Sequence, residues 1–192
     1  FEGIESKATL TVSGGSVRVV ASDDGFNAGT RIAVKGGSVY VRAGGDGLDS
    51  NGDMVIDGGT TVVHAASTMN GPVDVGEGGS LLTVNGGTIV ATGGSMAVRV
   101  SSSSRQGTLW VNAPLAAGTL VNVSAADGAS LLSFAPELSA SLLFFSSPAL
   151  RSGATYAIGT GGKASGAAVD GVYQGAWPGG TRLGTVVRDG VS

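Results

Sequence analysis

Leu10-Thr11-Val12-Ser13-Gly14-Gly15-Ser16-Val17-Arg18-Val19 returns 22 residues later as Ile32-Ala33-Val34-Lys35-Gly36-Gly37-Ser38-Val39-Tyr40-Val41. It returns again after 22 residues as Met54-Val55-Ile56-Asp57-Gly58-Gly59-Thr60-Thr61-Val62-Val63, and after 28 as Leu82-Thr83-Val84-Asn85-Gly86-Gly87-Thr88-Ile89-Val90-Ala91. A period in the twenties marks a solenoid. Each unit reads as a short strand, a Gly-Gly corner, a second strand and a polar turn. The apolar positions alternate and β-branched residues dominate, so the units are strands and not helices. The Leu scaffold and Asn ladder of leucine-rich repeats are missing. The repeat therefore predicts an all-β fold, a right-handed parallel β-helix with one 22-residue coil per unit.

Stacked coils would bring equivalent residues to about 4.8 Å, the spacing of neighbouring strands. Four inward columns follow: Leu10/Ile32/Met54/Leu82, Val12/Val34/Ile56/Val84, Val17/Val39/Thr61/Ile89 and Val19/Val41/Val63/Ala91. The register loosens after residue 94. Beyond a polar stretch at Ser101–Ser104, strands are expected at Thr108–Val111, Leu120–Val123, Leu131–Phe134, Leu142–Phe145, Thr155–Ile158 and Thr181–Val186. The whole chain, 1–192, reads as one unit, with regular coils over 1–94 and less regular coils ending in a cap over 95–192. A cap is needed because a bare solenoid end exposes sheet edges and apolar surface.

Composition narrows the function classes. Of 192 residues 35 are Gly, but there is no Gly-X-Y period and only 5 Pro, which excludes collagen. The 42% apolar content is enough for a core, and the net charge of −3 with few basic residues argues against a nucleic-acid partner. No apolar run approaches the ~20 residues of a membrane span. The absence of Cys excludes disulfides and thiolate metal sites. Phe1 in place of an initiator Met reads as a trimmed chain or a fragment.

The polar turns repeat as well. Ser22-Asp23-Asp24-Gly25-Phe26-Asn27-Ala28 is followed one period later by Gly45-Asp46-Gly47-Leu48-Asp49-Ser50-Asn51-Gly52-Asp53. Asp24 thereby maps to Asp46 and Asn27 to Asp49, so two oxygen-bearing columns should share one corner. Asp, Asn and Gly favour turns for local reasons alone. Stacked carboxylates, however, repel unless a cation lies between them, and Asp, Asn and carbonyl oxygens suit Ca2+. The candidate ligands are Asp23, Asp24, Asn27, Asp46, Asp49, Asn51 and Asp53, joined by Asn70 and Asp74 from the expanded third turn. The loop lacks the bidentate Glu of an EF-hand.

These acidic turns, with Gly58-Gly59-Thr60, resemble a bacterial family of β-helical carbohydrate-binding proteins of the clostridial pectin-binding type. Ser146-Ser147-Pro148, Gly153-Ala154-Thr155-Tyr156, Gly161-Gly162 and Gly171-Val172-Tyr173 are similar to that family's closing segment. The resemblance implies bound calcium, secretion or cell-surface display, and binding of plant cell-wall polysaccharide (xylan or pectin) without cleavage. A module of this kind is expected to be tethered to a larger multidomain enzyme or surface protein.

Alternation places Arg18 and Tyr40 in one outward column, and Arg42 and His64 in its neighbour. A ring for stacking on sugar faces, beside cationic donors, suits a polysaccharide. Trp177, in a Trp-Pro-Gly-Gly turn, offers a second platform with Trp110, Tyr156 and Tyr173. The alternative function is a calcium-dependent lyase of pectin-type uronates, in which an Arg beside the metal removes a proton. No basic residue lies within the acidic turns themselves, and the chain's single His limits acid–base chemistry. An ice-binding or other structural solenoid would need a regular Thr face, which Thr60-Thr61 is too short to provide.

Overall fold

The computed structural model describes residues 1–66, 69–96 and 98–187. The first coil carries β1 (Ile4–Ser6), β2 (Thr9–Val12) and β3 (Ser16–Ala21). The second carries β4 (Phe26–Ala28), β5 (Arg31–Val34) and β6 (Ser38–Ala43), and the third β7 (Leu48–Ser50), β8 (Asp53–Ile56) and β9 (Thr60–His64). The fourth carries β10 (Val73–Val75), β11 (Leu82–Val84) and β12 (Thr88–Gly93). Equivalent strands pair in parallel, which builds a three-faced β-solenoid from the orders β1-β4-β7-β10, β11-β8-β5-β2 and β12-β9-β6-β3.

The four expected inward columns are the observed strand registers, from Leu10↔Ile32↔Met54↔Leu82 through Val19↔Val41↔Val63↔Ala91. They merge with Phe26, Leu48 and Val73 into one core. Only the second glycine of each pair has a positive φ: Gly15, Gly37, Gly59 and Gly87 lie between 77° and 89°. At Gly37, Gly59 and Gly87 an added Cβ would also meet backbone of the coil below. The coil therefore turns its corner on one glycine of the two. The segment 99–106 lies along β11 as a partial further rung, with Leu82 bridged to Val100 and the Ser104 hydroxyl accepting from the Val84 N–H at 3.1 Å.

All six strands expected beyond residue 94 exist, but they do not make coils. They are β13 (Thr108–Leu115), β14 (Val121–Ser124), β15 (Ser130–Phe134), β16 (Ala140–Ser146), β17 (Thr155–Thr160) and β20 (Thr181–Val187), and two short strands not expected, β18 (Ala168–Val169) and β19 (Val172–Tyr173), join them. β16 pairs antiparallel with β12 and β13 antiparallel with β16, extending the third face of the solenoid to six strands. The remainder form a separate sheet, β18-β19-β15-β14-β17-β20, with antiparallel pairings. The reason lies in the connections. β14 reaches β15 through Ala125–Ala129, a five-residue link with Asp127-Gly128 in its turn. So short a link closes a hairpin, whereas a parallel return needs a crossover of a dozen residues or more.

The antiparallel sheet lies on the outside of the third face and creates a second core. Tyr40, Val62, Val90, Leu143 and Phe145 on one side meet Val121, Val123, Phe134, Tyr156 and Ile158 on the other. The third face is thus buried on both sides, which explains the unbroken burial along β9 and β12. Among the described residues no helix is long and apolar enough to cross a membrane.

Candidate functional site

The acidic corner forms where the first face meets its turns. Register places Asn27 beside Asp49 and Asp49 beside Asp74 along β4, β7 and β10. The other column has a different role. Asp24 accepts the Asp46 N–H at 2.8 Å, and Asp46 in turn accepts the Gly71 N–H at 2.5 Å. Each carboxylate therefore pins the main chain of the next coil. The Asn27 amide donates to Asp24 at 3.3 Å and to Asp49 at 3.1 Å, bridging the two columns.

Burial, then the charge of Asp24 and Asp74, pushes the Asp49 carboxyl up to about 6. Burial likewise raises Asp46 to about 6, against the hydrogen bond from Gly71 and with Asp24, Asp74 and Asp49 adding to the rise. Asp74 is also raised, chiefly by burial. Asp49, Asn51, Asp74 and Glu77 line a cleft of about 520 Å³ with Arg99 on its wall.

Of the other expected ligands, Asp23 is next to the corner, with its carbonyl accepting from Gly45. Asp53 is at the head of β8, opposite Arg31, and accepts the Leu81 N–H at 2.9 Å. The Asn70 carbonyl accepts from Gly94. Among the described residues no group of three or more His, Asp or Glu forms a ready metal centre. The donor chemistry of the cleft, carboxylates with amide and carbonyl oxygens, nonetheless fits a hard cation. Asp49 and Asp74 are its carboxylates on this corner, since both line the cleft.

The expected stacking face is where the structure departs furthest from the sequence reading. Tyr40 and His64 do point outward, but they lie beneath the antiparallel sheet at 2% and 0% exposure. The His64 ring stacks on Phe134 at 5.2 Å, and its Nδ1 accepts the Glu137 N–H at 3.1 Å. The proton is therefore on Nε2, 4.0 Å from a Glu137 carboxylate oxygen and without a hydrogen bond. Burial lowers the His64 pKa and keeps the ring neutral. Burial and a hydrogen bond to Glu137 raise the Tyr40 phenol to about 12. Arg18 lies over the Tyr40 ring at 3.7 Å and bonds Asp170 at 2.5 Å, while Arg42 Nε is 3.6 Å from Glu137. These four residues mount the C-terminal sheet on the solenoid, and Tyr40 and His64 have no open face to offer a sugar.

Trp177 is half-buried, with its ring over Gly159 and its indole N–H donating to the Gly161 carbonyl at 2.9 Å. It lines a small cleft of about 180 Å³ with Ile158 and Arg182. Sequence reasoning missed Arg99, the one cation on the wall of the acidic cleft, because it follows the loss of register. It also missed Glu137 and Asp170, whose roles depend on how the second sheet docks.

Compared with known proteins, the chain matches the family described as carbohydrate-binding domain-containing protein over residues 1–135. That stretch takes in the solenoid and continues through β15, 135 of the 192 residues. The chain belongs to this family. No curated protein and no solved structure matches it.

Proposed function

We propose that this chain binds plant cell-wall polysaccharide, xylan or pectin, without cleaving it, and that calcium at the acidic corner stiffens the coils around the binding surface. Membership of a carbohydrate-binding family over 135 residues carries the reading. Calcium is supported by the half-buried, mutually repelling Asp49 and Asp74, which a cation in their cleft would relieve. Secretion or surface display, within a larger multidomain enzyme or surface protein, accords with such a ligand. Binding on a glycan array, with no unsaturated product from polygalacturonate or xylan, is the expected result. EDTA should lower the melting temperature, because an ion held only by the folded state stabilises it. Failure to retain any plant glycan would refute the proposal.

One observation favours a second reading. Arg99 shares its cleft with Asp49, Asp74 and Glu77, so a basic group and candidate calcium ligands line one cavity. A calcium-dependent lyase needs both, and Arg99 would be its proton acceptor. Calcium-dependent release of unsaturated uronate, abolished in Arg99→Ala, would establish it in place of simple binding.

A further inference from the structure

Trp110 lies on the edge strand β13, stacked on Phe144 at 4.3 Å, and is only partly buried. It lines two clefts, one of about 480 Å³ with Asn112 and Leu142, and one of about 430 Å³ that reaches the second sheet. The latter is bounded by consecutive residues, 110–114 of β13 and 183–186 of β20, with Ile158 beside them. A cleft lying on one face of a strand would touch alternate residues. Contact with every residue in turn means that it runs along the strand edges. Among the described residues β13 pairs only with β16 and β20 only with β17, so each stands at the edge of its sheet. Trp110 and Asn112 line both of these clefts, and Ile158 lines both the second and the smaller cleft under Trp177.

Resting on the carbohydrate-binding reading, we infer that this trough is the glycan site and that its ligand is an uncharged, extended chain of pyranose sugars. Sugar hydroxyls both donate and accept, which suits two strand edges offering N–H and C=O groups side by side. Indoles supply the flat apolar surface on which pyranose faces stack. Among the described residues no charged side chain lines the middle cleft, and the only one in the three clefts is Arg182 beside Trp177. A polyuronate would bring a carboxylate on every residue into a trough with a single cation. The acidic cleft, lined by Asp49, Asp74 and Glu77, meets the far end of the trough at Met96, which lines both.

The test uses the full chain, with xylohexaose, cellohexaose and hexagalacturonate as probes. Calorimetry should show binding of a neutral hexamer. In a Trp177→Phe background, where Trp110 is the sole indole, that hexamer should shift the tryptophan emission. Leu183 is half-exposed at the trough wall, so Leu183→Arg obstructs the cleft without disturbing the core. It should weaken binding by about tenfold or more while the melting temperature holds. Binding that leaves both the Trp110 emission and the Leu183→Arg affinity unchanged would place the glycan elsewhere and overturn this inference alone. Preference for hexagalacturonate would overturn the ligand class. Displacement of the sugar by an extended Thr-Val hexapeptide at equal concentration would show a strand-binding edge and overturn the glycan assignment. If no glycan binds at all, the carbohydrate-binding reading falls first.

Discussion

Replacing Gly59 by Ala, with Gly36→Ala as its partner, tests whether the coils turn on one glycine of each pair. Gly59 has φ +81°, and an added Cβ would lie 2.4 Å from the Gly37 carbonyl oxygen and 2.8 Å from the Gly36 carbonyl carbon. An L-residue in the left-handed region costs roughly 1–2 kcal/mol. Pushing a methyl into the backbone of the coil below adds about 1–3 kcal/mol, because neither rung can move without disturbing its ladder. The expected loss is therefore ~2–5 kcal/mol, against a total of ~5–15 kcal/mol for a typical domain. Gly36 has no positive φ, and its added Cβ would have only the Ser13 carbonyl oxygen nearby, at 3.6 Å. Gly36→Ala should be neutral or stabilising by about 0.4–1 kcal/mol, through the unfolded chain. Urea denaturation followed by circular dichroism measures both, with the Gly59→Ala midpoint lower, the Gly36→Ala midpoint level or higher, and slopes unchanged. Coincident midpoints for the two variants would refute the account of the corner.

The raised pKa of Asp46 is a statement about pH. A carboxyl near 6 when folded and near 3.9 when unfolded contributes stability below about pH 4, which is lost as pH rises through about 6. In EDTA, Asp46→Asn should therefore melt above the wild type at pH 7.5, with the gap closing toward pH 4; a gap that is absent or widens on acidification contradicts this. Tyr40→Ala removes a ring buried between the two sheets and should lower stability by about 3 kcal/mol or more. Limited proteolysis should then release the region after β13 before the solenoid yields, and a variant as resistant as the wild type would count against the mounting role.

Sequence legibility followed the distance over which each feature is decided. The inward columns were readable because register repeats with the strand period and each coil sees only its neighbours. The strands after residue 94 were readable as strands, but their direction was set by the five-residue link at Ala125–Ala129, which a search for further coils passes over. Alternation correctly turned Tyr40 and His64 outward. It carried no information about Glu137, which lies 73 residues from His64 and closes that face. The acidic corner is a different case: Asp at a 22-residue interval is what a stacked metal ligand requires, and equally what a carboxylate pinning the next coil's N–H requires. Sequence spacing cannot separate the two, whereas the bonds from Asp46 and Gly71 assign the Asp24–Asp46 column to pinning.

The reversal of strand direction beyond β12 gives the solenoid two unlike ends. Among the described residues β1, β2 and β3 are the outermost rungs of the three faces, each paired in parallel with the next coil. At the other end, β16 lies antiparallel along β12, and no further coil of the same winding can pair there. A 22-residue unit joined at the first coil would find three templates, while one joined after β12 would have to displace a strand already bonded. In polymer terms β16 is a stopper on the stack. Variation in the number of coils is therefore accommodated away from β16 and leaves the sheet docked on the third face in place.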